Sequence, residues 1–179
     1  MPGPTYPPIP RDMLTLEVAR LRELLALDED GERLEVKPLP ILDLGPSPVL
    51  TAALNTFFAE RGLLTIGPDW RGAGWNELTH EEAVRSLTYL LSQGMAYGTP
   101  RREFAAAREG AIAFLSLFGS ESRLLSNTDM DRSLLPDGSV PPSGWGYGSG
   151  RSLTPATFDA GVVAVGAGRM GLLWFTDED

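Results

Sequence analysis

Two runs of consecutive apolar residues near the C-terminal end of this 179-residue sequence constrain its fold more than any other feature. Residues 162–165 (VVAV) and 172–175 (LLWF) are rich in β-branched and aromatic side chains, and the glycine-rich residues 166–168 separate them. This pattern predicts two strands, at residues 158–165 and 169–176, joined as a β-hairpin. A strand that is apolar on both faces is buried on both faces. We therefore predict that the hairpin lies at the centre of a sheet, with helices packed against it.

Amphipathic patterns in the preceding sequence predict about four helices. The first covers about residues 13–27, where leucines and Val18 recur at helical spacing. The other three have start signals: Ser47 before Pro48, a capping box formed by Thr79 and Glu82, and Thr99 before Pro100. Gly110 lies inside the last predicted helix, and we attribute it to a close contact with another helix.

Shorter segments predict the remaining strands. Residues 34–44 contain two prolines and are expected to form an edge strand or an extended crossing. Residues 63–66 and 123–127 are expected to form two further short strands. The predicted fold class is α+β, with about four helices packed on a small, mainly antiparallel sheet whose centre is the C-terminal β-hairpin.

The length of the chain favours one domain. Residues 1–12 include five prolines, so we expect a proline-rich N-terminal arm there and a single α+β domain over residues 13–179. No apolar run has the length of a signal-peptide core or of a membrane span. These features predict a cytoplasmic protein.

The charge balance limits the partners that the chain can bind. It has 24 acidic residues against 15 basic ones, a net charge of −9. Nucleic acids and anionic membranes are disfavoured as partners because they require a basic surface. A basic protein partner is allowed, and the alternative is that the charge serves solubility alone. The chain has no cysteine, which excludes disulfides, thiolate zinc sites and thiol nucleophiles.

One motif resembles a nucleotide-binding signature. Gly166-x-Gly168-x-x-Gly171 matches the glycine spacing of the dinucleotide-binding fingerprint. That fingerprint requires a helix to begin at the glycines and point its amides at the pyrophosphate, but the residues that follow Gly171 have the pattern of a strand. We therefore interpret the motif as a hairpin turn and predict no cofactor.

Catalytic and metal signatures are incomplete. The single histidine, His80, is expected at the exposed start of a helix, and no G-x-S-x-G accompanies it. Asn127-x-Asp129-x-Asp131 resembles half of a calcium loop, but Arg132 and Gly138 occupy the positions that need glycine and glutamate. We predict no catalytic and no metal residues from these patterns; a carboxylate pair formed by the fold stays open.

Two loops rich in glycine and aromatic residues are the first candidate binding sites. Residues 67–75 and 144–151 hold three of the four tryptophans, and each loop carries an arginine. Tryptophan, tyrosine and arginine dominate binding hot spots, and glycine allows a close approach to a partner. The alternative is that the rings fold back over the core. The candidate binding residues are Trp70, Arg71, Trp75, Trp145, Tyr147 and Arg151.

The acidic C-terminal residues are the second candidate. Asp177, Glu178 and Asp179 are consecutive carboxylates that follow a strand expected to be buried. They could bind the basic side chains of a partner, as an acidic hook. The alternative is an ordinary solvated tail.

Three functions follow from these observations. The first is a non-catalytic acidic protein-binding module, such as an inhibitor or immunity-type protein that neutralises a basic partner. The second is a small-molecule or sugar binder that stacks its ligand on the aromatic rings of the glycine-rich loops. The third is an enzyme that uses carboxylates or a metal, although no spacing selects its residues. The pattern favours the first function and sets no oligomeric state.

Overall fold

The computed structural model describes residues 10–27, 31–39, 48–68, 74–96, 98–128 and 152–178, with the side chain of Arg11 left out. These ranges contain four helices and five strands. The elements are α1 Arg11–Leu25, β1 Glu32–Pro38, α2 Pro48–Ala59, β2 Asn76–Leu78, α3 His80–Ser92, α4 Phe104–Ser116, β3 Arg123–Ser126, β4 Phe158–Gly166 and β5 Arg169–Asp177.

The strands form one antiparallel sheet in the order β1-β5-β4-β3-β2. β4 and β5 are therefore interior strands, and the predicted α+β fold with a central C-terminal hairpin is confirmed. β1 lies at one edge, as its prolines predicted, and the short β2 lies at the other.

Helices cover both faces of this sheet. Because side chains alternate along a strand, Val162 and Ala164 join the core beneath α1, α3 and α4, whereas Val163 and Val165 join the core beneath α2. The consecutive apolar residues of the hairpin thus supply two separate cores.

The glycine-rich motif forms the hairpin turn. Gly166 pairs with Arg169, and the two residues between them, Ala167 and Gly168, have φ values of 47° and 69°. Positive φ at both central positions is the property of a type I′ turn, which matches the twist of the flanking strands. β5 follows immediately, as the hairpin interpretation predicted.

Two local predictions on the helices are confirmed. The Glu82 N–H donates to Thr79 Oγ1 at 3.2 Å, and the Thr79 N–H donates to Glu82 Oε2 at 2.6 Å, so the capping box starts α3. At Gly110, a Cβ atom would overlap the Leu25 side chain of α1. The glycine therefore permits the close approach of α1 to α4.

The predicted start of the last helix at Thr99 is wrong, because α4 begins at Phe104. The preceding residues fold back on the end of α3: the Gly94 N–H donates to the Thr99 carbonyl at 2.8 Å, and the Arg101 N–H donates to the Ser92 carbonyl at 2.8 Å. These contacts compete with helix formation.

The predicted strand at residues 63–66 is also wrong. Leu63 and Ile66 are buried, but the Ile66 N–H donates to the Asn55 side chain rather than to a sheet. β2 was not predicted, since three residues are too short to show a strand pattern. Residues 40–44 of the predicted edge strand lie outside the described residues. Among the described helices, none has the length and apolar character needed to span a bilayer.

Candidate functional site

One end of the sheet gathers most of its buried polar residues. β1 begins there at Glu32, β5 ends there at Asp177, and β4 begins there with Phe158 and Asp159. β3 ends there at Ser126, which pairs with Asn76, the first residue of β2. We call this the polar end of the sheet.

The two glycine–aromatic loops both connect at the polar end. Residues 67–75 lead into β2, and residues 129–151 lie between β3 and the segment that enters β4. Asn76 follows the first loop, and Thr128 precedes the segment that contains the second; Asn76 Nδ2 donates to the Thr128 carbonyl at 3.2 Å. The fold thus brings together the attachment points of two loops that are distant in sequence.

An arginine and a glutamate organise the polar end on the side of α1 and α3. The Glu32 side chain is 1% exposed, and both of its oxygens accept hydrogen bonds from Arg102. The same guanidinium donates to the carbonyls of Leu25, Ala26 and Leu91 at 2.7–2.9 Å. All five of its N–H groups are therefore used, and they tie the end of α1 to α3 and β1.

Asp177, predicted as part of an acidic hook, is bonded to the protein itself. Its Oδ2 atom accepts from the Met95 N–H at 2.8 Å, from the Ala96 N–H at 3.2 Å and from Arg101 Nη2 at 3.3 Å. These bonds fasten the end of β5 to the segment between α3 and α4. Glu178 is exposed, and its Oε2 atom accepts from Thr157 Oγ1 at 3.0 Å. Asp179 lies outside the described residues.

Asp159 is a buried acid that the sequence did not single out. It is 1% exposed, and its Oδ2 atom accepts from the N–H groups of Leu153 at 2.8 Å and Thr154 at 2.7 Å. Its Oδ1 atom accepts from Asn127 Nδ2 at 3.0 Å. The carboxylate therefore closes the segment that leads into β4. The only signal in the sequence is an acid at the start of an apolar strand.

Asn127 thus has a structural role in the part of the motif that the structure describes. Its Nδ2 atom also donates to the Asp159 carbonyl at 3.0 Å. Asn127 therefore joins the end of β3 to the start of β4, 32 positions later in the chain. Asp129 and Asp131 lie outside the described residues.

Trp75 is the one candidate loop aromatic that the structure describes, and it is 3% exposed. Its ring stacks on Trp174 with centroids 5.7 Å apart and planes 18° apart, and it also contacts Phe58. This ring therefore packs in the core and is not exposed for binding, which is the alternative considered for the loop aromatics. The other five candidates, Trp70, Arg71, Trp145, Tyr147 and Arg151, lie outside the described residues, and their role in binding stays a prediction.

The buried carboxylates are arranged to hold the fold together. Glu32 and Asp159, together with the partly buried Asp177, each accept several hydrogen bonds from donors that belong to the fold. His80 is exposed at the first turn of α3, as predicted. Within the described part of the chain, no three His, Asp or Glu side chains are grouped closely enough to hold a metal ion.

Most of the basic side chains in the described residues form ion pairs with acidic side chains of the same molecule. Salt bridges to acidic side chains engage Arg33, Lys37, Arg61, Arg101, Arg102, Arg123 and Arg169. Several exposed carboxylates make no ion pair with the described residues: Asp12, Glu23, Glu81, Glu103, Glu109, Glu121 and Glu178. Arg20, Arg22, Arg85 and Arg108 likewise make none. The charge left for external contacts is therefore mainly negative.

A groove of about 810 Å³ lies beside edge strand β1, between it and α1. α1 contributes Leu14, Val18 and Arg22 among others, and β1 contributes the stretch from Leu34 to Pro38. We call it the α1/β1 groove.

Comparison of the chain with protein-family models, with curated proteins and with solved structures finds no match.

Proposed function

We propose that this protein is a non-catalytic acidic module that binds a basic protein partner in the cytoplasm, as an inhibitor or immunity-type protein does. The observation that carries the proposal is the distribution of charge. The described arginines and the lysine largely pair with the protein's own acids, and a set of exposed carboxylates faces solvent without such partners. A surface of this kind attracts a positively charged partner and accelerates its association.

The environment of the buried acids supports a binding role over a catalytic one. A general acid or base must exchange a proton with a substrate. The oxygens of Glu32 and Asp159 instead accept hydrogen bonds from main-chain or side-chain donors that belong to the fold. Residues used in this way stabilise the scaffold that carries the binding surface.

The experiment is a pull-down from lysate of the source organism with the tagged full chain, washed at low and high salt. We expect one basic protein to be retained at low salt and weakened at high salt. With that partner purified, replacing Glu103, which precedes α4, and Glu109 on α4 by Gln should slow association. Arg108→Gln on the same helix is the matched control and should accelerate it. An association rate that changes neither with salt concentration nor with these substitutions would contradict the proposal.

A second candidate function is a small-molecule or sugar binder that uses the two glycine–aromatic loops. The observation that favours it is the hydrogen bond between Asn76 and Thr128, which joins the end of the first loop to the start of the segment that contains the second. A ligand at one hundred times its Kd stabilises a folded protein by about 2.7 kcal/mol. A thermal-shift screen of sugars and nucleotides would detect this gain, and Trp145→Ala should abolish it. A screen without stabilising ligands argues against this function.

A further inference from the structure

The main-chain groups of β1 alternate in direction. The Thr176 N–H donates to the Gly31 carbonyl at 2.7 Å, and the Leu39 N–H donates to the Gly168 carbonyl at 2.7 Å. Gly31 and Leu39 flank β1, and both face β5. In an antiparallel pair, every second residue bonds to the neighbouring strand. The odd-numbered residues of β1 therefore bond to β5, and the even-numbered residues face away from it.

Leu34 and Val36 accordingly direct their N–H and C=O groups out of the sheet. Arg22 of α1 confirms this direction, because its Nη2 atom donates to the Leu34 carbonyl at 2.8 Å. Among the described residues, no other partner bonds to the outward main-chain groups of Leu34 and Val36. β1 thus offers a short row of donors and acceptors that fits one further strand.

The groove next to this row has two different walls. The α1 wall contributes Leu14 and Val18, which meet Leu34 and Val36 on the same face of the sheet. On the other face, Glu35 and Lys37 form ion pairs with Arg61 and Glu60 of the α2 end. An occupant in extended conformation would therefore place alternate side chains against an apolar wall and a charged wall.

In the charged wall, Lys37 stabilises the ionised form of Glu60. The Lys37 ammonium, hydrogen-bonded to Glu60 at 2.8 Å, lowers the pKa of the Glu60 carboxyl from its ordinary value. Lys37 and Arg61 also lie over the Phe57 ring, at 5.3 and 3.9 Å from its centroid.

We propose that the α1/β1 groove binds an extended segment of a partner protein, which adds to β1 as a sixth strand and places apolar side chains at alternate positions against α1. The inference rests on the proposed binding function and names the surface and the type of segment that it recognises. Such strand addition takes its affinity from main-chain hydrogen bonds and its specificity from the alternating side chains. Pro38 has no N–H, so the added strand ends beside Val36.

The proposal is tested with a displayed library of random peptides long enough to span β1, selected on the full-length protein. Val36→Pro is the decisive variant, because proline removes an outward N–H while the bonds to β5 stay intact. Val36→Ala is the matched control: it keeps the N–H and loses most of the side chain. We expect selected peptides to alternate apolar and polar residues and to bind Val36→Pro about tenfold or more weakly than Val36→Ala.

Amide hydrogen exchange provides the second readout. The amides of Leu34 and Val36 should exchange fast in the free protein, those of Arg33, Glu35 and Lys37 slowly, and a bound peptide should protect the first pair. Selected peptides that bind both Val36 variants equally, or a selection without enrichment, overturn the proposal.

Other occupants of the groove would be recognised by different results. Protection of the Leu34 and Val36 amides that disappears on deletion of residues 1–9 would assign the groove to the chain's own arm. Protection that rises with protein concentration would assign it to a second copy. Either result overturns the proposal. If the basic partner from the pull-down binds Val36→Pro as well as wild type, the groove assignment fails while the proposed function stands.

Discussion

Arg102 binds the carboxylate of Glu32 in a bidentate ion pair, although the two residues are 70 positions apart in the chain. The pair lies where α1, α3 and β1 meet, and the glutamate side chain has almost no contact with solvent. Removal of Arg102 would take two hydrogen bonds from this buried carboxylate and leave it the longer ion pair with Arg101 at 3.5 Å.

The first prediction concerns this pair. Arg102→Ala should lower the free energy of unfolding by about 3–5 kcal/mol, because the buried Glu32 carboxylate loses two hydrogen bonds and three carbonyls lose the same donor. Arg102→Lys should also destabilise, since an ammonium cannot reproduce the planar fork. Chemical denaturation measures both changes. The control is Glu77→Gln, which breaks the more exposed pair with Arg123 and should cost less than about 1 kcal/mol. Equal losses at the two sites would contradict the role assigned to Glu32.

The second prediction concerns the contact of α1 with α4. Gly110→Ala should destabilise the fold by about 1–3 kcal/mol because the new methyl group overlaps Leu25. This effect opposes the better helix propensity of alanine, which favours the variant by about 1 kcal/mol. The matched variant is Ala106→Gly at an exposed position of α4, which should cost about 1 kcal/mol. In a Leu25→Ala background, Gly110→Ala should become much less harmful; an unchanged penalty there would argue against the contact.

The third prediction separates the structural and binding roles of Trp75. Trp75→Ala should lower stability by about 3–5 kcal/mol, because a buried ring stacked on Trp174 is lost. Near-ultraviolet circular dichroism should lose intensity in the same variant. Trp75→Phe, which keeps an aromatic ring in the core, should bind the captured partner as wild type does. If a Trp75 substitution lowers the affinity for the partner but not the stability of the fold, Trp75 contacts the partner directly.

The fourth prediction is a pH dependence. Burial raises the pKa of the Tyr89 hydroxyl above its ordinary value of 10.0. The folded state then keeps its proton at a pH where the unfolded state releases it, so this stabilisation is complete below pH 10.0 and decreases as the pH rises above it. Tyr89→Phe should lose stability less steeply between neutral and strongly alkaline pH. Denaturation curves measured across that range test the difference, and parallel slopes would contradict it.

Local patterns predicted those parts of the fold that local interactions specify. The capping box at Thr79 and Glu82 works within a single turn, and the hairpin follows from two apolar runs separated by a short glycine-rich turn. The central position of the hairpin could also be predicted, since residues buried on both faces need helices on both sides. These features depend on neighbours within a few residues.

The errors occur where distant residues determine the local structure. Thr99 and Pro100 have the pattern of a helix start, but Arg101 and Arg102 bond to Asp177 and Glu32, which are 76 and 70 residues away. Spacing along the sequence carries no sign of such pairs. The composition of the loop around Trp75 likewise could not show that its ring packs on Trp174 in β5. The same limit applies to Asp159, because one of its donors, Asn127, lies 32 positions earlier in the chain.

The position of β5, late in the chain but interior in the sheet, affects when the protein can fold during its synthesis. It is made after the other four strands, yet it separates β1 from the rest of the sheet and contributes to both cores. During synthesis, β1 leaves the ribosome with no strand to pair with until residues 169–177 have been translated. Neither core is complete before that point, so a nascent chain halted before β5 would expose apolar helix surfaces to which a chaperone can bind.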